Sequence, residues 1–292
     1  MSTISFNDGI YTQQVLDAFL EYITPVKSFA RDFSSETAKK GNAVYVPRID
    51  GLTATTGDGY ENASGAVGTI TVNLDKRQVS TVDISDIQAA NSSAAKVENF
   101  ARQQACAIAT KFLTDVWSLL TTTNFGNAVV TTAAANWTKT QIRAIRKALN
   151  EAKAPMSNRS MVLDSDIVDA LLGDSTLSTL IAYTSNESLQ TGKLPALMGF
   201  QNYESNLVPL NSASIMGFGC HPDSIAIASR YLESQAPGEY LAAMPVVDSE
   251  SGLTLGYRRH FNPGSGKHYA SFEILYGYAV GLSTGLKLIT VP

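Results

Sequence analysis

The residues of this sequence with the most chemical potential are three carboxylates, Asp164, Asp166 and Asp169, in the run "LDSDIVD". Carboxylates so closely spaced can hold a hard cation or share a proton for acid–base work. The same positions suit a helix N-cap followed by first-turn acids, which the helix dipole favours. Capping accounts for all three. The histidines are His221, His260 and His268, and none stands in an HxxxH or HExxH spacing, so zinc hydrolysis lacks its motif. His221 lies between Cys220 and Pro222 at a loop-to-strand junction. Neighbours in sequence do not make a Cys–His catalytic pair, because that pair is spatial, so packing or capping is expected. His260 and His268 flank a turn and are expected to pair across it.

Phosphate chemistry is equally unsupported. No GxSxG, GxGxxG or GxxxxGK[ST] pattern occurs. The "GDG" at residues 57–59 sits at a hairpin tip with no helix behind it, and the "GSG" at residues 264–266 reads as a turn. Arg258 and Arg259 point to opposite faces of a strand, one expected as a surface charge and the other as an ion-pair partner. No catalytic, cofactor-binding or metal-ligating residue is predicted, and the chain is not expected to be an enzyme.

Composition agrees with a contact-rich surface. Of 292 residues 44% are hydrophobic and only 16% charged, against roughly 25% charged in an average domain. The net charge is −4 and no run of Lys or Arg exceeds two residues. This pattern lacks the footprint of a tight nucleic-acid binder. Cys106 and Cys220 are the only cysteines, with no CxxC spacing, and are expected as free thiols in a reducing compartment. The N-terminal "MSTISFNDGIYTQQ" lacks the basic and apolar regions of a signal peptide. No apolar run approaches the ~18 residues of a membrane span. A protein made in a cytoplasm and remaining soluble is expected.

The elements are legible from periodicity. Residues 9–30 carry Ile10, Val15, Leu16, Phe19, Leu20 and Ile23 on one helical face until Pro25 intervenes. Phe29 and Phe33 follow in "KSFARDFSSETAKKG", which reads as an extended arm with two aromatic anchors; an ordinary helix docked on its own core is the alternative. Residues 41–52 and 67–85 read as the arms of a long hairpin around the tip "TGDGYENASGAVG". Ile70, Val72 and Leu74 alternate with Thr69, Thr71 and Asn73, giving it one apolar face. An isolated ribbon is marginal in water. Since nothing else in the chain looks suited to cover it, packing on another copy is expected.

Asn91, Ser92 and Ser93 cap a long helix. Its stripe is Val97, Phe100, Ala101, Gln104, Ala105, Ile108, Phe112, Val116, Leu119 and Leu120, flanked by Leu113 and Trp117. Some 28 residues span about 40 Å. Beyond it the spacing predicts a helix with Ile142, Ile145, Ala148 and Leu149 on one face, a strand "RSMVLD", a short helix ended near Gly173, and strands at "SIAIASR", "LTLGYRRHF", residues 267–282 and "LKLITV". Gly277 and Gly281 are expected at bulges or close approaches. The fold class is α+β.

This order of parts resembles the major capsid proteins of tailed bacteriophages, with the Hong Kong 97-type fold. The phrases "SSETAKKGNAVYVPRI", "VSTVDISDIQAANSSAAKVENFARQQACAIA", "LMGFQNYESNLVP", "GFGCHPDSIAIASR" and "FEILYGYAVGLSTG" carry the resemblance over nearly the whole chain. It implies an N-terminal arm (1–40), an extended β-hairpin loop (41–85), a peripheral domain with the spine helix (86–126), an axial domain (127–245) and returning strands that complete both domains (246–292). It also implies inter-subunit contacts at Phe19, Phe29, Phe33, Tyr45, Tyr60, Ile70, Val72 and Leu74.

The implied function is a major capsid protein that self-assembles, as hexameric and pentameric capsomers, into an icosahedral shell around double-stranded DNA. The partners implied are copies of itself, scaffolding, portal and decoration proteins, and packaged DNA contacted weakly and without sequence specificity; no cofactor and no membrane are implied. The protein is then expected in the virion capsid, assembled in the host cytoplasm. Some relatives cross-link through a loop Lys, but no Lys lies between residues 41 and 74, so non-covalent assembly is expected. About 40 residues precede the hairpin, too few for the long scaffolding region of other relatives, and Met1 speaks against its removal. An encapsulin-like compartment and a soluble enzyme with a site of scattered residues are the rival readings.

Overall fold

The computed structural model of this chain describes residues 8–23, 25–34, 41–50, 66–85, 94–174, 194–208, 214–234, 237–248 and 251–292. Within them Tyr11, Val15, Ala18 and Phe19 recur at three- and four-residue steps, and α1 (Asp8–Tyr22) buries that face. Its partner is the spine helix α3 (Ala94–Trp117). After Pro25 the chain makes one turn, α2 (Val26–Phe29), and then β1 (Arg31–Asp32), which pairs in parallel with β9 (Ile225–Arg230). The described part of the expected arm is therefore woven into the chain's own body. Phe19 and Phe29 have no exposed surface.

The spine helix has 24 residues, about 36 Å. Ala101, Ala105, Ile108, Phe112, Val116 and Trp117 on its stripe are fully or almost fully buried. Trp117 meets Phe29 and Phe218 edge-on, so helix, N-terminal turn and a strand of the second sheet share one aromatic cluster. Gln104, a polar residue in that stripe, is also buried. Its side chain accepts from Tyr11 Oη at 2.5 Å and donates to the carbonyls of Ser80 and Ala270 at 2.9 and 3.0 Å.

The helix lies on a six-stranded sheet whose long central strand is β12 (Lys267–Val280). β4 (Lys76–Ser85) runs antiparallel along one edge of β12. Along the other edge β11 (Thr254–Asn262) and β9 follow one another, with β10 (Ala242–Val247) outside β11. This placement of β4 changes the hairpin. Among the described residues the ribbon consists of β2 (Ala43–Asp50) and β3 (Ala66–Asn73); the chain turns at Leu74 and Asp75, and residues 76–85 belong to the main sheet.

The second sheet has five strands in the order β5 (Val130–Thr131), β13 (Leu286–Thr290), β8 (Ile215–Cys220), β6 (Arg159–Leu163) and β7 (Phe200–Glu204). Helices α5 (Lys139–Glu151) and α6 (Ser165–Gly173) supply Ile142, Ile145, Leu149, Ile167 and Leu171 to its core. One more turn of helix, α4 (Thr122–Phe125), precedes β5. Thr138 and Gln141 form a capping box at the start of α5. Strands β11 and β12 thus lie in the first sheet and β13 in the second.

Asp115 ties the spine to the first sheet. Its carboxylate accepts from Lys111 at 2.9 Å, Tyr276 Oη at 2.7 Å and Gln78 at 3.2 Å. Burial alone raises its pKa, but these donors outweigh it and hold the group below the ordinary aspartate value. A depressed folded pKa contributes stability above the unfolded value near ~3.9, which is lost as pH falls through the folded value. Urea melts of wild type and Asp115→Asn are therefore expected to differ at pH 7 and to converge below about pH 4. A gap that persists at acid pH would show that the charge is not what matters.

Candidate inter-subunit surface

The ribbon of β2 and β3 alternates cleanly. Val44, Val46, Val72 and Leu74 face inward, and Tyr45, Pro47, Thr69, Thr71 and Asn73 face out. The inward face rests on Ala226 and Ala228 of β9, with Ala279, Ile70 and Phe33 packed at its rim. The expectation that nothing in the chain covers this face is overturned: small residues on β9 leave a seat for it. Polar bonds lock the seat. Leu74 N–H donates to Asn42 O at 2.7 Å, Arg230 to Gly41 O at 2.6 Å, and Arg48 to Gly281 O at 2.8 Å.

Gly277 and Gly281 are points of close approach. A Cβ on Gly277 would stand 2.0 Å from Asn73 O, and one on Gly281 2.2 Å from Asp223 O. Both contacts are with backbone that cannot rotate away. No register shift interrupts β12 at Gly277, and Gly281 follows the last residue of the strand.

The residues expected at inter-subunit contacts therefore divide. Phe19, Phe29, Val72 and Leu74 are buried inside the chain's own fold; side chains so enclosed present no surface to a neighbour. Ile70 and Phe33 are half-buried at the seat, and Arg31 stacks over the Phe33 ring at 5.7 Å. Tyr45 stands on the outer face with 67% of its surface exposed. Tyr60, the "GDG" at residues 57–59 and the caps Asn91, Ser92 and Ser93 lie outside the described residues.

Sequence reasoning missed a second surface. On β10, Leu241 just before the strand and Ala243, Pro245 and Val247 within it face solvent, with Leu241 and Val247 57% and 60% exposed. The inward set Ala242, Met244 and Val246 is also apolar and packs on the main core. The signal in the sequence was a run apolar on both faces; that it lies at a sheet edge is given only by the topology. Pro245 withholds one N–H from that edge.

The residues that first invited chemistry have structural roles. Asp164 accepts from Asp166 N–H as the cap of α6. His221 Nδ1 accepts from Asp223 N–H, and burial lowers its pKa although Asp223 opposes the shift. The Cys220 thiol is buried and pushed up to about 12, so little reactive thiolate forms. Across the turn at residues 263–266, His260 is opposite Tyr269 and His268 opposite Phe261. Register thus places the histidines one pair apart; His260 stacks on Tyr269 and His268 meets Phe261 at a tilt instead. Arg258 and Arg259 are both paired, with Glu273 at 2.8 Å and Asp8 at 2.9 Å. Among the described residues no group of three or more His, Cys, Asp or Glu comes together as a metal site.

Among the described residues, a ribbon with an open outer face and an apolar edge strand exposed to solvent are features of a protein whose surfaces are completed by assembly. A family model described as phage capsid protein matches residues 66–270. The chain belongs to this phage capsid protein family and is a structural protein of the capsid shell. Among solved structures it is similar to that of Mycobacterium phage Che8, at 18% identity over 93% of this chain and 90% of that chain with a TM-score of 0.56. The capsid structure of Cyanophage P-SCSP1u gives 14% identity, 90% and 86% coverage and a TM-score of 0.63. A virus-like particle from Pyrococcus furiosus gives 8%, 96% and 98%, and 0.53. At these identities the likeness is one of fold, the Hong Kong 97-type capsid fold. No curated protein matches the chain.

Proposed function

We propose that this protein closes, as hexameric and pentameric capsomers, into the icosahedral shell that encloses the double-stranded DNA of a tailed bacteriophage. The observation that carries this reading is the ribbon, anchored at its root on β9 and β12 while its outer face, with Tyr45, is left open. A rigid root lets the loop act as a lever that keeps its direction while it lies across a neighbour. Tyr45 and the outer face of β10 are then buried between copies. Each contact is weak, and closure of the shell makes many of them act together. In this reading residues 41–73 form the extended loop, the first sheet with α3 the peripheral domain, and the second sheet with α5 and α6 the axial domain. Scaffolding, portal and decoration proteins are the further partners, assembly takes place in the host cytoplasm, and the shell performs no catalysis. With no Lys between residues 41 and 74, the loop clasps its neighbour without a covalent bond.

Deleting residues 55–66 tests this reading. The seat of the ribbon is retained, so the subunit is expected to keep its circular dichroism and to melt within a few degrees of wild type. Negative-stain microscopy is expected to find closed shells for wild type and none for the deletion. An unfolded deletion variant would return the whole hairpin to the monomer's core and remove its assembly role.

One observation favours an encapsulin-like compartment as the second reading. A cleft of about 600 Å³ opens at the end of α1, lined by Leu20, Tyr22, Ile23, Val168 and Leu194, where a cargo peptide has room to lie. Mass spectrometry of purified particles separates the two readings, since a compartment contains a stoichiometric protein cargo and a capsid does not.

A further inference from the structure

We propose that the exposed face of α5 binds the phosphate backbone of duplex nucleic acid. The proposal rests on the shell reading and names the surface through which the shell meets its contents. The chain carries net charge −4, yet residues 139–153 hold five cations, Lys139, Arg143, Arg146, Lys147 and Lys153, against the single acid Glu151. Only Arg146 and Lys147 are adjacent, so the linear sequence hides the cluster. The helix collects them. Positions i, i+4, i+7 and i+8 bring Lys139, Arg143, Arg146 and Lys147 to one side, while Ile142, Ile145 and Leu149 are fully buried against the second sheet.

The positive charge on this face is poorly neutralised. Among the described residues Arg143 and Arg146 make no ion pair, and Lys147 reaches only Glu151, at 3.6 Å, with both ends exposed. Beneath the helix end lies Arg159, buried and bonded to Asn150 and to the carbonyls of Ala154 and Pro155. Burial and then the charge of Arg146 lower the pKa of Arg159, as expected where cations gather without a matching anion. Side chains of Arg143, Arg146, Lys147 and Asn150, with the single acid Glu151, line a shallow groove along the helix.

The chemistry of the face selects the partner. From Lys139 to Lys147 it runs about 12 Å, and a duplex presents one charge per about 1.7 Å of its axis, so the face spans several phosphates. Residues 139–153 include no aromatic side chain on which an unpaired base could stack. Contacts to phosphate position a protein on a duplex without reading its sequence. The face therefore suits a duplex of any sequence, held in a salt-dependent way.

The test uses full-length subunits and fluorescence anisotropy with two short labelled DNA duplexes of unrelated sequence, titrated over a range of salt. Wild type is expected to bind both alike, and the triple variant R143Q/R146Q/K147Q to bind both more weakly, with a log–log salt slope shallower by about 3. Arg102→Gln on the spine helix is expected to leave affinity and slope unchanged. The triple variant is expected to form shells as wild type does. No duplex binding by wild type, or an unchanged slope in the triple variant, overturns the proposal. Loss of shells by the triple variant overturns it too, because the face would then be a subunit contact. Failure of wild type to form shells counts instead against the shell reading, and the anisotropy measurement stands apart from it.

Discussion

Gly277→Val is expected to destabilise the subunit by about 3 kcal/mol, the upper end of the usual cost of overpacking, and to abolish closed shells. The added Cβ would lie 2.0 Å from Asn73 O and 2.6 Å from Asn73 C. These are backbone atoms at the root of the ribbon, fixed by the bond from Leu74 N–H to Asn42 O. Either the ribbon lifts off its seat or the central strand β12 bends, and both separate Val72 and Leu74 from Ala226 and Ala228. Calorimetry should show Tm lower by about 6–12 °C for a chain of this size. Gly173→Ala is the control, since nothing lies within 4 Å of its added Cβ; it should leave both Tm and shell yield intact. Wild-type stability and shells in Gly277→Val would mean that the ribbon is not seated on β12.

Gln104→Leu is expected to cost about 2–3 kcal/mol, even though it places an apolar residue in an apolar stripe. The change removes the Gln104 acceptor of the buried Tyr11 hydroxyl and the donor to the carbonyls of Ser80 and Ala270. A buried polar group left without a partner costs about 1–3 kcal/mol. Burial raises the pKa of Tyr11 strongly, so ionisation offers no escape. Tyr11→Phe combined with Gln104→Leu removes both halves of the Tyr11–Gln104 bond and should recover about 1 kcal/mol or more relative to additivity. Strict additivity in urea melts would show that the two side chains do not act as a unit.

Gln104 also marks how far periodicity can be read. Its place on the buried stripe of the spine helix follows from spacing alone. Why a glutamine stands there does not, because its three partners lie on α1, β4 and β12. The strands at residues 225–230, 254–262 and 286–290 and the cap at Asp164 were legible for the same reason: each is a local pattern of period or hydrogen-bonding type. The paired histidines were not. His260 and His268 have the right separation for a hairpin, but a register set by the turn at residues 263–266 moves them one step out of line.

The candidate surface was legible in kind and only partly in residues. Alternation over residues 69–74 marked Ile70, Val72 and Leu74 as one apolar face, and the sequence pattern placed Tyr45 on a hairpin. What covers that face was misjudged, because Ala226 and Ala228 are unremarkable alanines until β9 passes beneath the ribbon. The outer face of β10 was missed because an apolar strand reads as buried unless its position at the sheet edge is known. The cations of α5 were discounted by counting runs along the chain, a measure blind to helical geometry.

The sequence by itself determined the α+β class, the order of elements, the spine helix and the capsid resemblance, since all of these rest on patterns within a few tens of residues. Only the tertiary structure decided which surfaces are spent inside the subunit and which are left for other molecules. That division depends on contacts between segments far apart in the chain, such as Leu74 with Ala228 or Tyr11 with Gln104. No local pattern encodes them, because burial is a property of where two segments meet rather than of either one.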